Sequence, residues 1–282
     1  NYSNDSKYGE YFKLFQYELS PFQKHAIQGI VDGNHVLVTA ATGSGKTLPA
    51  EFAIRHFTGL GKRVIYCSPI KALSNQKTFD FTHKYPDITF GLLTGDIKTN
   101  PTAQVLIMTT EILMNQLFTQ SATRKESSLS FSMDLETELG CVIFDEFHYI
   151  NDAHRGHVWE QSILMLPQHV QMVMLSATLD DPVKSARWIE DRNTSDSKQV
   201  VICSTDTRIV PLTHYVYMNG TEGLYKKMKD RETETQFRKS VDKCLPIRSA
   251  EGVFNEATYR ESKRILDALD GNNIYVNRKT VL

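Results

Sequence analysis

Short apolar runs rich in β-branched residues recur along the chain, each followed by turn residues and a stretch of mixed polarity. The runs are HVLVTA (35–40), RVIYCSP (63–69), ITFGLLTG (88–95), AQVLIMTT (103–110), CVIFDEF (141–147), QMVMLSAT (171–178) and QVVICS (199–204). Between most of them lies a segment suited to a helix, such as TLPAEFAIRHFTGLG or VWEQSILMLP. Strands alternating with helices predict βαβ units and a parallel sheet. Because the runs are continuously apolar, both sheet faces are expected to be covered by helices. Ligands of such α/β folds sit beyond the carboxyl ends of the strands.

Other segments depart from this rhythm. Residues 1–20 are polar and aromatic without a clear period. Residues 21–33 predict a short helix opened by Pro21, with Phe22, Ala26, Ile27 and Ile30 on one side. The Ser/Thr-rich stretch 119–139 predicts a surface insertion. Residues 210–218, VPLTHYVYM, predict one more strand, and 222–243 a helix with a solvated, charged face. No regular βα rhythm resumes before Leu282.

Composition changes little in this picture. The chain has 282 residues, 40% hydrophobic and 23% charged, enough for one large α/β domain or one domain and part of a second. The net charge of −1 supplies no global basic field, so any nucleic-acid contact must be local. The four cysteines share no CxxC spacing, which argues against zinc and against a disulfide framework. Cys67 and Cys141 fall in apolar runs and read as small core residues. These features suit an intracellular protein of a reducing compartment. No membrane span or secretory signal is expected. The chain begins with Asn rather than Met, as a piece of a longer protein would.

Two motifs carry chemistry. AATGSGKT (40–47) lies between a predicted strand and a predicted helix. This is the P-loop arrangement, although Ala40 stands where the strict pattern has its first Gly. Thr42, Gly43, Ser44 and Gly45 would curl backbone N–H groups around phosphate oxygens. Lys46 would meet the β- and γ-phosphates, and Thr47 would offer a hydroxyl to Mg²⁺. The second motif is VIFDEFHYIND (142–152), at a strand end about a hundred residues later. A P-loop enzyme needs a carboxylate there for Mg²⁺, which suits Asp145. It also needs a group to orient and deprotonate water, which suits Glu146. The plain alternative for this pair is a helix cap. His148 is placed to hydrogen-bond toward Ser176 and Thr178 at the end of the next strand, which would couple the site to a moving neighbour.

The order TGSGKT, DEFH, SAT resembles the superfamily-two DExH-box helicases. SPIKALSNQK (68–77), LLTGD (92–96), MTTEIL (108–113) and RGHVWE (155–160) narrow the resemblance to superkiller-type (Ski-type) RNA helicases. It covers roughly residues 18–218. The resemblance implies a RecA-like P-loop NTPase fold, with ATP and Mg²⁺ as cofactors. Glu146, Lys46 and Asp145 would be catalytic, and Phe22 and Gln23 of LSPFQKHAI would face the adenine. Pro69, Lys71, Gly95, Asp96, Thr109, Thr110 and Glu111 would line a track for single-stranded RNA. For the TTE stretch the plain reading is a helix cap at Thr109 or Thr110. For Arg155-Gly156 and Trp159-Glu160 it is packing, favoured for Trp159.

The resemblance also implies domain bounds: an extension over 1–18, a first RecA-like domain over 19–205, and a crossover strand with the start of a second RecA-like domain over 206–282. Phe147 stands where the family usually has Val. The paired-arginine motif of the family's second domain is absent from the sequence. The expected protein is thus the first motor domain of an RNA helicase, with an exosome-type RNA decay complex among its partners. Two other readings stay open: a DNA helicase of the same superfamily, and a non-catalytic, ATP-responsive scaffold.

Overall fold

A computed structural model describes residues 5–121, 133–192, 198–205, 210–218 and 231–271. The chain divides into two compact units, Asn1–Thr207 and Arg208–Leu282.

The first unit is built on a single eight-stranded sheet. Its strands are β1 (His35–Ala40), β2 (Arg63–Ser68), β3 (Phe90–Leu93), β4 (Lys98–Thr99), β5 (Val105–Thr109), β6 (Leu139–Phe144), β7 (Gln171–Ser176) and β8 (Val200–Thr205), in the order β4-β3-β5-β2-β6-β7-β1-β8. All neighbours run parallel except β3 and β4. The first seven predicted runs all form strands. The two-residue strand β4 carries no apolar run of its own and was not foreseen.

Successive strand residues point to opposite faces, so the apolar runs feed two cores. Val36, Val38 and Ala40 of β1 face one side, together with Tyr66 and Ile143. Helices α2 (Pro21–Val31), α3 (Leu48–Gly59) and α4 (Lys71–Lys84) cover it through Ile27, Ile30, Phe52, Ile54 and Phe81. Leu37, Ile65, Leu106 and Phe144 face the other side. There α5 (Thr110–Ser121), α6 (Gly156–Met165) and α7 (Pro182–Glu190) bring Leu113, Leu117, Trp159, Ile163 and Ile189. Helices on both faces of a mostly parallel sheet make the RecA-like α/β fold expected from the pattern. Cys67 and Cys141 are buried strand residues, as read from the sequence.

Two expectations are corrected. Residues 5–12, in a stretch read as having no period, form a helix, α1 (Asp5–Phe12). Tertiary contact stabilises it: Tyr8 is buried and donates to Asp32 at 2.7 Å. A single two-turn helix would not hold by itself in water. The predicted insertion 119–139 lies mostly outside the described residues. Its last part is packed rather than superficial, because Met133 and Leu135 are buried in the second core.

In the second unit, β9 (His214–Tyr217) pairs antiparallel with β10 (Cys244–Arg248). Helices α8 (Arg231–Ser240) and α9 (Glu256–Gly271) accompany them. Met218, Phe237, Val241 and Ile265 form a small core of their own.

Candidate functional site

The chain leaves β1 through residues 41–47 and enters α3 directly. Leu48 N–H donates to the Gly45 carbonyl at 3.2 Å, and Glu51 N–H to that of Thr47 at 3.1 Å. Gly43 and Gly45 have φ of 84° and 86°, a left-handed conformation that strains other residues. A Cβ at Gly43 would meet nothing within 4 Å, so the loop is open on that side. A Cβ at Gly45 would lie 2.6 Å from Gln23 Nε2. Gln23 thus braces the loop: its Nε2 donates to the Gly45 carbonyl at 3.2 Å, while its Oε1 accepts Ser20 N–H at 3.0 Å. Ser44 is turned inward and donates to the Ala41 carbonyl at 2.7 Å. Thr42 is exposed. Thr47 stands at the start of α3, and its side chain makes no capping hydrogen bond.

Phe22 does not join this loop. It is 6% exposed and belongs to the first core.

Lys46, 8% exposed, reaches across the sheet edge to Glu146, with Nζ 3.1 Å from Oε1 and 3.2 Å from Oε2. Glu146 is a non-glycine residue in left-handed backbone, at φ 52° and ψ 48°. That turn ends the β6 path one residue after Asp145 and aims the carboxylate at the P-loop. Asp145 is 4% exposed and has both oxygens engaged. Oδ1 accepts Glu146 N–H at 3.0 Å, and Oδ2 accepts the Tyr66 hydroxyl at 2.6 Å. Burial pushes the Tyr66 hydroxyl well above its ordinary pKa, and the Asp145 carboxylate beside it adds to the shift. Tyr66 therefore stays protonated and donates.

His148 Nδ1 lies 3.5 Å from Glu146 Oε2 and makes no hydrogen bond. The expected link from His148 to Ser176 is not formed here. The Ser176 hydroxyl donates instead to the Thr178 carbonyl at 3.0 Å, closing its own turn. Ser176 is buried at the end of β7, beside Thr39 of β1, while Thr178 is exposed.

The remaining candidates sit further along the same sheet edge, beyond β2, β3 and β5. Ion pairs join these strand-end loops. Lys71, at the start of α4, pairs with Asp96 in the turn after β3. Gly95 lies beside it, and a Cβ there would be 3.4 Å from Lys71 Nζ. Arg155 donates through Nη2 to the Pro69 carbonyl and to Glu111, and through Nε to Glu111 at 3.1 Å. Thr109 and Thr110 are buried, and the Thr110 hydroxyl has no hydrogen-bond partner. It stands at the N-terminus of α5, where unpaired N–H groups favour an anion.

The structure thus gathers the sequence candidates into two groups on one edge. The first lies at β1, β6 and β7, and the second at β2, β5 and β3.

A family model described as DEAD/DEAH box helicase matches residues 20–186. The chain belongs to the DEAD/DEAH box helicase family. This helicase domain is 39% identical over 255 residues to the antiviral helicase SKI2 of Saccharomyces cerevisiae, covering 90% of this chain and 17% of that protein. It is 44% identical over 227 residues to superkiller complex protein 2 of Homo sapiens, covering 77% and 16%. With exosome RNA helicase MTR4 of Mus musculus it shares 41% over 217 residues, covering 77% and 19%. The helicase domain therefore spans less than a quarter of the curated relatives it matches. A solved structure of DUF1998 helicase MrfA bound to DNA superposes with a TM-score of 0.55 at 17% identity, covering 72% of this chain and 30% of that one. That likeness concerns the fold alone.

Sequence reading missed two residues of the helicase domain's edge. Tyr66 sits in an apolar run where its polar end gave no signal. Arg155 belonged to a quoted motif, RGHVWE, but packing was its plain reading. Trp159 of that motif is core, tilted against Phe144 and edge-on to Phe147.

Proposed function

We propose that this domain binds Mg-ATP and single-stranded RNA as the first motor domain of an ATP-dependent RNA helicase of Ski type. The observation that carries the reading is the Lys46–Glu146 pair beside Asp145, bridging a P-loop and a DEFH segment across one sheet edge. The donor set suits the expected ligands. Gly43 leaves the cradle open, and α3 presents its N-terminus to it. Thr47 and Asp145 are oxygen donors, the kind Mg²⁺ prefers.

In this reading Thr42–Gly45 wrap the phosphates with backbone N–H groups. Lys46 exchanges its Glu146 partner for phosphate oxygens, and Gln23 holds the loop from behind. Glu146, released from Lys46, orients a water and takes its proton. Bound Mg²⁺, held by Thr47 and Asp145, would neutralise charge developing on the phosphoryl oxygens. His148, Ser176 and Thr178 would couple this site to a neighbouring domain. The strand-end loops with Pro69, Lys71, Gly95, Asp96, Thr109, Thr110 and Glu111 would track the RNA backbone.

Residues 206–282 fit a crossover strand and the start of a second RecA-like domain. The full-length protein is then a helicase that closes two such domains on ATP, in an intracellular setting and in company with an RNA decay complex. Among the described residues no helix is long and apolar enough to cross a membrane.

The test compares ATP turnover by the full-length protein with RNA, with DNA and with neither. RNA is expected to raise turnover, and Glu146→Gln to abolish it while leaving ATP affinity within about twofold. Unimpaired turnover by Glu146→Gln would remove Glu146 from the mechanism. Equal stimulation by DNA would favour the DNA-helicase reading, because a backbone track separates the two poorly.

A further inference from the structure

We propose that Arg155 is a positioning residue: it fastens the loop after β2 and the start of α5 to the segment that carries Glu146, so that RNA on those elements is felt at the nucleotide. The proposal rests on the function proposed above.

The segment from Glu146 to Gly156 is closely tied. Tyr149 N–H donates to the Glu146 carbonyl at 3.1 Å, Asp152 N–H to that of Tyr149 at 3.0 Å, and Gly156 N–H to that of Asp152 at 2.9 Å. The Asp152 carboxylate then accepts the N–H groups of His154 and Arg155 at 2.9 and 2.8 Å. Those two hydrogen bonds hold its carboxyl below the usual range. A Cβ at Gly156 would lie 2.3 Å from the Ile150 carbonyl oxygen, so the segment folds back on itself closely enough to require glycine there. Phe147 is fully buried against Trp159 and anchors the segment to the second core. Few torsions are left loose between the Glu146 carboxylate and the Arg155 backbone.

Arg155 ends this tied segment with a planar fork that meets two separate elements. One is the Pro69 carbonyl after β2, the other the Glu111 carboxylate on α5. Glu111 therefore already has its positive partner, and in the track it acts by holding Arg155 rather than by facing phosphate. As stability alone the contact counts for little, because a partly exposed ion pair gains little over its hydrated partners. Its specific content is geometric. A lysine carries one point of charge and cannot supply Nε and Nη2 in a fixed plane.

The experiment uses the full-length protein with Arg155→Lys and Arg155→Gln. It measures basal ATP turnover, RNA-stimulated turnover, and the affinity for a single-stranded RNA with and without a non-hydrolysable ATP analogue. Basal turnover is expected to stay within about twofold. RNA stimulation and the analogue's effect on RNA affinity are expected to fall together, by about tenfold in the Gln variant and less in the Lys variant, within the usual range of coupling between sites. Basal and stimulated turnover falling in the same proportion would mean that Arg155 only stabilises the fold. Variants as responsive as the wild type would overturn the proposal alone. A wild-type protein indifferent to RNA would overturn the functional reading, and this proposal with it. Should the Gln variant fail to fold, the Lys variant, which keeps the charge, decides.

Discussion

The carboxylate of Asp145 is oriented before any ligand arrives, because Glu146 N–H and the Tyr66 hydroxyl each hold one of its oxygens. A hydrogen bond to a buried charge contributes about 1.5–3 kcal/mol. Tyr66→Phe keeps the ring that packs on Phe81 and deletes only the donor. It is expected to lose about that much stability in urea unfolding, and to weaken the gain in ATP-analogue affinity that Mg²⁺ brings. Unchanged stability together with unchanged Mg²⁺ dependence would show that the hydroxyl does not restrain Asp145. At this scale residue type and order alone raised Gly43, Gly45, Lys46 and Asp145 as candidates, and the fold brings them together on one sheet edge. The sequence was silent where the meaning is a contact. Tyr66 and Asp145 are 79 positions apart, and no spacing rule links them. The burial of Phe22 beside Gln23 was likewise invisible to spacing.

Elements were legible wherever burial writes the pattern. The βα rhythm fixed seven strands because each crosses both cores. Strand β4 and helix α1 escaped because neither depends on its own apolar period: β4 pairs with β3 through two exposed residues, and α1 docks through Tyr8 and its neighbours. The junction of β1 and β7 holds a less visible dependence. His35 opens β1, is fully buried, and accepts Met172 N–H at 3.0 Å through Nδ1. Burial, with the positive charges of Arg192 and Lys198 behind it, pushes its pKa down to about 3. The folded state therefore keeps His35 neutral while the unfolded chain protonates near pH 6.5. The stability that this neutral form contributes is whole above pH 6.5 and drains away as pH falls toward 3, by about 2 kcal/mol at pH 5. His35→Asn is expected to flatten the decline of stability between pH 7 and 5 in urea titrations, whatever it does to stability at pH 7. An unaltered slope would assign the acid sensitivity to other groups.

For the whole molecule the sheet order is the organising fact. The chain passes from β1 to β2 across two intervening strands, β7 and β6, which puts the P-loop and the SPIK loop at a distance with Asp145 and Glu146 between them. With a net charge of −1, the proposed attraction to RNA would come from local groups rather than from the overall field. Lys71, half exposed and paired with Asp96, is such a group. Lys71→Ala in the full-length protein is expected to lower the slope of log affinity against log salt by about 0.7, the share of one phosphate contact on a single strand. Titrations of a labelled single-stranded RNA at several salt concentrations measure it, and an equal slope would take Lys71 out of the track. Beyond the first unit the proposed domain order rests on resemblance alone, because residues 208–282 carry few apolar runs to read.

The left-handed backbone at Glu146 has a consequence for descent. A glutamate there bears a conformational cost of about 1–2 kcal/mol, relieved most by glycine and partly by asparagine. On the proposed role of Glu146, that cost is sustained by the use of its carboxylate. In a lineage whose copy has ceased to hydrolyse, the proposed role would lapse and loss of selection here would favour a foldability gain. Drift there should run toward Gly or Asn, at home in that turn, before Gln or Ala. A retired motor of this family would thus be recognisable from its DEFH segment turning into DGFH or DNFH while its P-loop still looks intact.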